Sequence, residues 1–244
     1  MYLTTTHLGR PLGRTPGHAG FAVVDGALGE PAPNFTCSAA ELAAIRVALA
    51  RPTTTTAQLT AGLSEALRRA VAAANRAATL LEARPRTALT ATRFRSVFGV
   101  GPDHVPAWRT PSSRWRDLGD LVALRLRSAA RILGGNQIRF RCAGCTSATA
   151  TACTTPPAYA MRFGLRFWRR WNAGEWHLMV STLVHEAVHI YFHRLVSHQP
   201  AKRRAVGANP SARSNSPYCY ALVTTRLNGF ADKPNDVTKC AAAT

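Results

Sequence analysis

The stretch that decides the fold of this 244-residue chain is WHLMVSTLVHEAVHIYFHRL, residues 176–195. Its apolar side chains recur at helical spacing, which predicts one long helix. The apolar positions include Leu183, Val184, Ala187, Val188, Ile190 and Tyr191. Because these residues occupy most faces of the helix, we expect the helix to be buried on most sides.

The same stretch contains an HExxH pattern at residues 185–189. Residues four apart lie on one face of a helix, so the imidazoles of His185 and His189 can reach one metal ion. Glu186 then lies beside the ion and can accept a proton from a water molecule that the metal activates. The alternative is a helix whose two histidines and glutamate face solvent or pair with one another. Since a buried Glu186 without a metal or partners is costly, we predict a Zn²⁺ site with Glu186 as general base.

A catalytic zinc ion usually has three protein ligands and one open position, so a third ligand is needed. No glutamate follows Glu186, which excludes a downstream glutamate. The extended metzincin pattern is excluded as well, because Phe192 and Leu195 stand where that pattern needs glycine and histidine. The remaining candidates are His193, His198, Asn215, Asp232 and Asp236.

Helix geometry distinguishes the two histidines among these candidates. His193 continues the four-residue series, but three such positions span about 12 Å of a straight helix, which is too far for one ion. His198 lies beyond the predicted end of the helix and can turn back towards the metal. We therefore predict His198 as the third ligand, with Asn215, Asp232 and Asp236 as alternatives.

The rest of the chain predicts an α+β fold with the HExxH helix near its C-terminal end. Helices are predicted over residues 38–51, 57–83, 87–97, 115–133 and 176–195, with a last short helix that begins near Tyr218. Strands are predicted over residues 137–142 and 158–163, and the second could pair with an extended substrate. We expect an extended or flexible arm over residues 1–36 and one domain over residues 37–244.

The segments before the zinc motif follow a recognisable order. A helical region precedes a strand that ends in cysteine (IRFRC, residues 138–142), an aromatic stretch (MRFGLRFW, residues 161–168) and then STLVHEAVH, residues 181–189. Over residues 57–225 the chain resembles the aspzincins, the deuterolysin-like and lysine-specific metallo-endopeptidases. The resemblance implies a zincin-like domain, endopeptidase activity, His185 and His189 as zinc ligands, and Glu186 as the base.

The chain departs from the aspzincin pattern after the motif. That family takes its third ligand from an aspartate in a GTxDxxYG segment, whereas no aspartate occurs between residues 187 and 231 of this chain. Some members leave eight residues between the second histidine and that aspartate, a spacing that leads to His198 here. A tyrosine near the metal, which stabilises the oxyanion in the family, would fall three residues later, where this chain has Ala201.

Two tyrosines in the later sequence SNSPYCYALV are the nearest substitutes for that missing tyrosine, namely Tyr218 and Tyr220. A tyrosine hydroxyl would donate a hydrogen bond to the developing oxyanion. The alternative for either residue is ordinary packing at the start of a helix. We predict Tyr220 for the catalytic role, because Ala221 and Leu222 follow it in a helix-like run.

Six cysteines occur, which permits three disulfides, although the sequence alone leaves their pairing open. Cys142, Cys145 and Cys153 lie close together in the sequence, but a zinc ribbon would need a second CxxC pair, which the chain lacks. A disulfide within the loop that follows Cys142, or one to Cys37, is therefore favoured. The chain has no run of about 18 apolar residues, so no membrane span is predicted. The first residues lack an apolar signal core, and we expect a secreted or exported protein without a recognisable N-terminal signal peptide.

The formal net charge of +19 favours association with polyanions. Only three of the 31 cationic residues are lysine. A surface rich in arginine is also typical of ordinary proteins encoded by GC-rich genomes, so the charge by itself does not indicate a function. We expect non-specific, salt-dependent polyanion binding through this surface. In Arg162–Trp171 cations and aromatics interleave, which is typical of a stacking surface for single-stranded nucleic acid. The alternative, which we favour, is a segment whose aromatic side chains are buried and whose arginines face solvent.

The leading hypothesis is therefore a monomeric zinc endopeptidase that acts on protein or peptide substrates. One alternative is a zincin-like scaffold without activity that binds nucleic acid or another partner. A further alternative is a zinc amide hydrolase that acts on a non-protein substrate, because the same metal chemistry serves any amide.

Overall fold

The structure is a computed structural model that describes residues 33–145, 149–155, 159–196 and 211–243. Of residues 155, 193–196 and 211, only the backbone is described. The predicted third ligand, His198, therefore lies outside the described residues, as does most of the predicted N-terminal arm.

The described residues form a mixed α+β fold that is mostly helical. The helices are α1 (Ala39–Leu49), α2 (Thr56–Glu82), α3 (Ala88–Phe98), α4 (Leu118–Gly134), α5 (Leu165–Asn172), α6 (Trp176–Val196), α7 (Ser211–Ser214), α8 (Pro217–Leu227) and α9 (Pro234–Ala241). The strands are β1 (Asn34–Thr36), β2 (Arg139–Arg141), β3 (Ala152–Thr155) and β4 (Ala160–Phe163). The predicted α+β class is confirmed, and the last residues of the predicted arm form β1.

Three helices, α1, α2 and α4, begin where the sequence provides a capping side chain. Ser38 and Glu41 form a capping box at the start of α1, with the Glu41 amide donating to Ser38 Oγ over 3.2 Å. Thr55 caps α2, and Asp117 caps α4. Each such cap satisfies an amide that the helix itself leaves without a partner. The helices predicted over residues 38–51, 57–83, 87–97 and 115–133 are confirmed, with ends that differ by a few residues.

The core is built around α2, which packs along α4 while both helices contact α6. The buried face of α2 consists largely of alanine, so neighbouring helices can approach closely. Its fully buried alanines are Ala66, Ala70, Ala73, Ala74, Ala77 and Ala78. The result is that α6, which carries residues 185–189, is surrounded by packed helices on its apolar faces.

The sheet has the strand order β1-β2-β4-β3. The first three strands run parallel, and β3 runs antiparallel to β4 at one edge. Because β4 is paired on both sides, the expectation that strand 158–163 pairs with a substrate was wrong. Among the described residues, the strand that contacts α6 and is paired on one side only is β3, in a stretch where no strand was predicted.

Three disulfides join the six cysteines, namely Cys37–Cys142, Cys145–Cys153 and Cys219–Cys240. The first links β1 to the end of β2, and the second closes the loop that leads into β3. Disulfides persist in oxidising environments, so this set is typical of proteins that mature in such a compartment. No helix among the described residues is long and apolar enough to cross a membrane.

The aromatics of Arg162–Trp171 belong to the core, as the favoured interpretation held. Phe163, Phe167 and Trp168 are fully buried, and the Trp168 indole donates to the Cys142 carbonyl over 2.7 Å. Most of this segment forms α5. Since none of these three rings is exposed, they do not provide a stacking surface.

Candidate active site

Helix α6 brings His185, Glu186 and His189 together near the middle of its length. The two Nε2 atoms of the histidines lie 3.0 Å apart. His185 is 9% exposed and Glu186 is 6% exposed, whereas His189 is open to solvent on one side. The four-residue spacing therefore directs both imidazoles to one point at the boundary between core and solvent.

Desolvation favours the neutral form of both imidazoles. Desolvation lowers the pKa of His185 well below its ordinary value, and the nearby charges of His189 and Lys233 act in the same direction. Desolvation also lowers the pKa of His189. A metal ion binds the neutral imidazole, so this electrostatic setting favours ligation over protonation.

Glu186 is held by the edge strand of the sheet. The Thr154 hydroxyl on β3 donates to Glu186 Oε2 over 3.0 Å. Burial raises the pKa of Glu186 to about 7, while the Thr154 hydrogen bond and the Lys233 charge oppose that rise. A carboxylate with a pKa near neutrality is suited to accepting and returning a proton at physiological pH.

The N-terminal turns of α8 and α9 approach the same part of α6. The Tyr218 ring centroid lies 4.3 Å from that of His185. One turn before the histidine, Ser181 Oγ donates a hydrogen bond to Asp236, which is 1% exposed. Lys233 Nζ lies 3.5 Å from Thr182 Oγ1 and 3.5 Å from an Asp236 carboxylate oxygen. We call these polar side chains, together with Thr154, the polar wall of the site.

The contacts of Tyr220, for which the sequence predicts a catalytic role, lie in the core of the protein. Its side chain is fully buried, and its hydroxyl donates to the Ser214 carbonyl over 2.7 Å while accepting from Arg125 over 2.9 Å. Tyr218 lies against His185 instead. The two tyrosines are two residues apart on one helix, so they face different sides of it.

Two of the candidates for the third ligand, Asp232 and Asp236, are held in other contacts. Asp232 forms an ion pair with Arg226 over 2.7 Å, and Asp236 is bound to Ser181 and Lys233. In the described part of the chain, the only group of three His, Cys, Asp or Glu side chains with ligand atoms within 4.8 Å of one another is Cys37, Glu41 and Cys142. Two members of that group form a disulfide, so it is not a metal site.

The separation of the two histidines fits a zinc ion, but the hydrogen bonding of His185 differs from that of usual zinc ligands. Two nitrogens bound tetrahedrally at ordinary zinc distances would lie about 3.3 Å apart, close to the observed separation. However, His185 Nδ1 is buried and has no hydrogen-bond partner among the residues that the structure describes. In metal sites that nitrogen usually donates to a carbonyl or carboxylate. The imidazole positions therefore suit a metal, although the usual support of the first ring is missing.

Two residues of the polar wall, Ser181 and Thr182, were not predicted as part of the site, although their spacing in the sequence indicates it. Ser181 and Thr182 precede His185 and Glu186 by four residues, so helical periodicity alone places them on the same face. No comparable signal pointed to Thr154 or Lys233, because each reaches the site only through the packing of its own element against α6.

Comparison of the chain with protein-family models, with curated proteins and with solved structures finds no match. The arrangement of α6, β3, α8 and α9 is therefore interpreted from its own chemistry.

We predict that Glu186→Gln stabilises the metal-free protein at alkaline pH. The raised pKa of the folded-state carboxyl means that its contribution to stability is complete below the ordinary value of 4.5 and is lost as the pH rises through about 7. Relative to wild type, the free energy of unfolding of the variant should increase by roughly 2–3 kcal/mol between about pH 5 and about pH 8. Urea unfolding with a chelator present measures this difference.

Glu82→Gln, at an exposed position on α2, provides the control for the loss of one carboxylate. The prediction fails if the difference between the Glu186→Gln variant and wild type stays constant across this pH range.

Proposed function

We propose that the protein is a zinc-dependent endopeptidase with a zincin-like domain, in which His185 and His189 bind the metal and Glu186 is the general base. The observation that carries the proposal is the pair of neutral imidazoles with Nε2 atoms 3.0 Å apart beside a buried glutamate. Few other roles explain why a protein would keep these three polar groups at the edge of its core.

A zinc ion at this position would supply Lewis acidity, polarising the scissile carbonyl and activating water at neutral pH. The residues of the chain provide the remaining functions. Glu186 takes a proton from the attacking water and delivers it to the leaving amine, a task that suits its pKa of about 7. Thr154 keeps the Glu186 carboxylate oriented through its hydrogen bond.

The outer edge of β3, which pairs with no other strand in the described part of the chain, supports a peptide as the substrate. An extended peptide can pair with an exposed strand edge through main-chain hydrogen bonds. Since Thr154 on this strand contacts Glu186, a peptide that pairs with β3 would pass beside the catalytic glutamate. The proposed substrate strand is therefore Ala152–Thr155 and not the segment that sequence analysis suggested.

The proposal retains His198 as the third ligand. The described acidic residues are occupied in other contacts, and His198 follows the last described residue of α6 by two positions. A histidine also matches the chemistry that zinc prefers.

Zinc content and cleavage of unfolded casein, measured on the same preparations, test the proposed function. Wild-type protein should hold about one zinc ion per chain and should cleave the substrate. His189→Ala should lower zinc affinity by about 100-fold or more and abolish cleavage, because it removes a direct ligand. His104→Ala, at an exposed loop position, is the matched control and should retain both properties.

The outcomes separate the alternatives. Wild-type protein without stoichiometric zinc would contradict the proposal. Protein that binds zinc at His189 but cleaves neither casein nor a peptide library would instead favour a scaffold without peptidase activity.

Tyr218→Phe is expected to reduce kcat by about 100- to 1000-fold without changing zinc content, the usual loss when an oxyanion donor is removed. Burial and the nearby charges of Asp236 and Glu186 raise the pKa of Tyr218. The hydroxyl therefore keeps the proton that it would donate. Steady-state kinetics on a fluorogenic peptide measure the effect.

Tyr220→Phe gives the matched comparison for this prediction. It removes two buried hydrogen bonds and should lower the free energy of unfolding by about 1–3 kcal/mol while kcat stays near wild type. If Tyr220→Phe reduces kcat more than Tyr218→Phe does, the assignment of Tyr218 is wrong.

A further inference from the structure

The loop between α3 and α4 has a composition that the proposed peptidase activity does not use. Its central sequence is WRTPSSRWR, residues 108–116, in which tryptophan and arginine flank a turn on both sides. We call residues 103–116 the Trp loop. Aromatic and cationic residues also alternate in Arg162–Trp171, where Phe163, Phe167 and Trp168 are buried. In the Trp loop, by contrast, Trp108 is exposed.

The Trp loop is fixed at its base and within its turn. The Arg86 guanidinium forms ion pairs with both Asp103 and Asp117, which lie at the two ends of the loop. The Leu118 amide donates to the His104 carbonyl over 2.9 Å. Because the loop is already ordered, a ligand would not have to bear the entropic cost of ordering it.

Trp108 is the exposed aromatic of this loop. It is 43% exposed, and its ring packs at 5.2 Å and 56° against Trp115, which is half-buried. Trp115 is itself supported by the Arg109 guanidinium, 5.8 Å from its centroid. Trp115 therefore supports one side of the Trp108 ring, and the exposed surface of Trp108 is available to a planar group.

The cations of the Trp loop are only partly neutralised. Arg116 pairs with Asp120 over 2.7 Å. In the described part of the chain, neither Arg109 nor Arg114 has a carboxylate oxygen within 4.0 Å. Arg109 directly follows Trp108 in the sequence, and Arg114 lies on the other side of the turn. Both are guanidinium groups without a paired carboxylate in the described part of a protein of net charge +19.

The apex of the Trp loop argues against insertion into a membrane. Its turn consists of Thr110, Pro111, Ser112 and Ser113, and the hydroxyls of the threonine and serines are hydrogen-bonded to one another at 3.1 Å. Insertion of Trp108 into lipid would carry these polar groups with it. A ligand that combines flat rings with phosphates fits both the aromatic surface and the cations without burying the turn.

We propose that the Trp loop binds single-stranded nucleic acid, with a base stacked on Trp108 and neighbouring phosphates contacted by Arg109 and Arg114. This inference does not depend on the proposed peptidase activity, because the loop lies outside the HExxH site. Binding of this kind tolerates many base sequences and weakens with salt.

Fluorescence anisotropy with a labelled oligothymidylate of about 15 nucleotides tests the inference on the full chain. Trp108→Leu should weaken binding by about 5- to 100-fold, since it removes a stacking ring but keeps apolar bulk. Trp108→Phe should restore much of the affinity because it keeps a ring. Thermal unfolding checks that each variant is folded.

Charge is tested separately from stacking. Arg114→Ala should reduce the dependence of log affinity on log salt by about 0.7, measured between about 50 and about 200 mM salt. Arg76→Ala, which removes an exposed cation from α2, should change this slope less.

Three results would overturn the inference. The first is wild-type affinity in folded Trp108→Leu. The second is an equal effect of Arg114→Ala and Arg76→Ala, which would mean diffuse attraction only. The third is binding to phosphatidylserine vesicles, but not to the oligonucleotide, which would assign the loop to lipid.

Discussion

Glu186→Gln is expected to reduce peptide cleavage by about 100- to 10,000-fold while zinc binding remains stoichiometric. Glutamine has nearly the same shape as glutamate, so it can still accept a hydrogen bond from Thr154 through its amide oxygen. It cannot accept a proton from water at neutral pH. The loss should therefore appear in kcat, with His185 and His189 still able to bind the metal.

Glu175→Gln, immediately before α6, is the matched control and should retain activity, because this glutamate lies outside the site. Zinc content by elemental analysis and kcat on one peptide are measured for both variants. Activity of Glu186→Gln within tenfold of wild type would exclude Glu186 as the base, even if zinc were bound. Loss of zinc from the variant would show that Glu186 supports the metal site structurally.

The same substitution should have opposite effects on stability and activity. Above neutral pH the metal-free protein keeps a buried carboxylate at Glu186, with desolvation as the main opposing influence. Glutamine removes that charge and should stabilise the fold, as in the pH comparison described above. A residue that destabilises its own fold is retained when its chemistry is needed, so the combination of the two results would be stronger than either one alone.

The helices were predictable because the signals for them are local. Apolar spacing in α2 and α6, the capping box of Ser38 and Glu41, and the four-residue spacing of the histidines all lie within short stretches. The strand β3 was not predictable on the same grounds. Its four residues, ACTT, have no alternating pattern, and they become a strand through antiparallel pairing with β4.

The candidate site divides in the same way. His185, Glu186 and His189 share one helical turn, so the sequence fixes their relative positions. The choice between Tyr218 and Tyr220 depends on the rotation of α8 about its axis, which is set by its packing on α6. Neither residue's own sequence context specifies that rotation.

The largest effect on stability is expected from Asp117→Ala. Asp117 caps α4 by accepting from the Asp120 amide over 2.9 Å, and it also binds Arg84 and Arg86, each at 2.8 Å. The Arg86 side chain is 1% exposed, so removal of Asp117 leaves a buried cation with fewer partners. We expect the free energy of unfolding to fall by about 3–5 kcal/mol.

Two further variants separate the parts of this effect in urea unfolding. Asp117→Asn keeps a capping oxygen but removes the charge, so its loss should be smaller than that of alanine by about 1 kcal/mol. Asp103→Ala also removes a partner of Arg86, but its carboxylate is 70% exposed and the loss should be below about 1 kcal/mol. Equal losses for Asp117→Ala and Asp103→Ala would show that the burial of Asp117 and its cap on α4 do not make its ion pair with Arg86 stronger than that of the exposed Asp103.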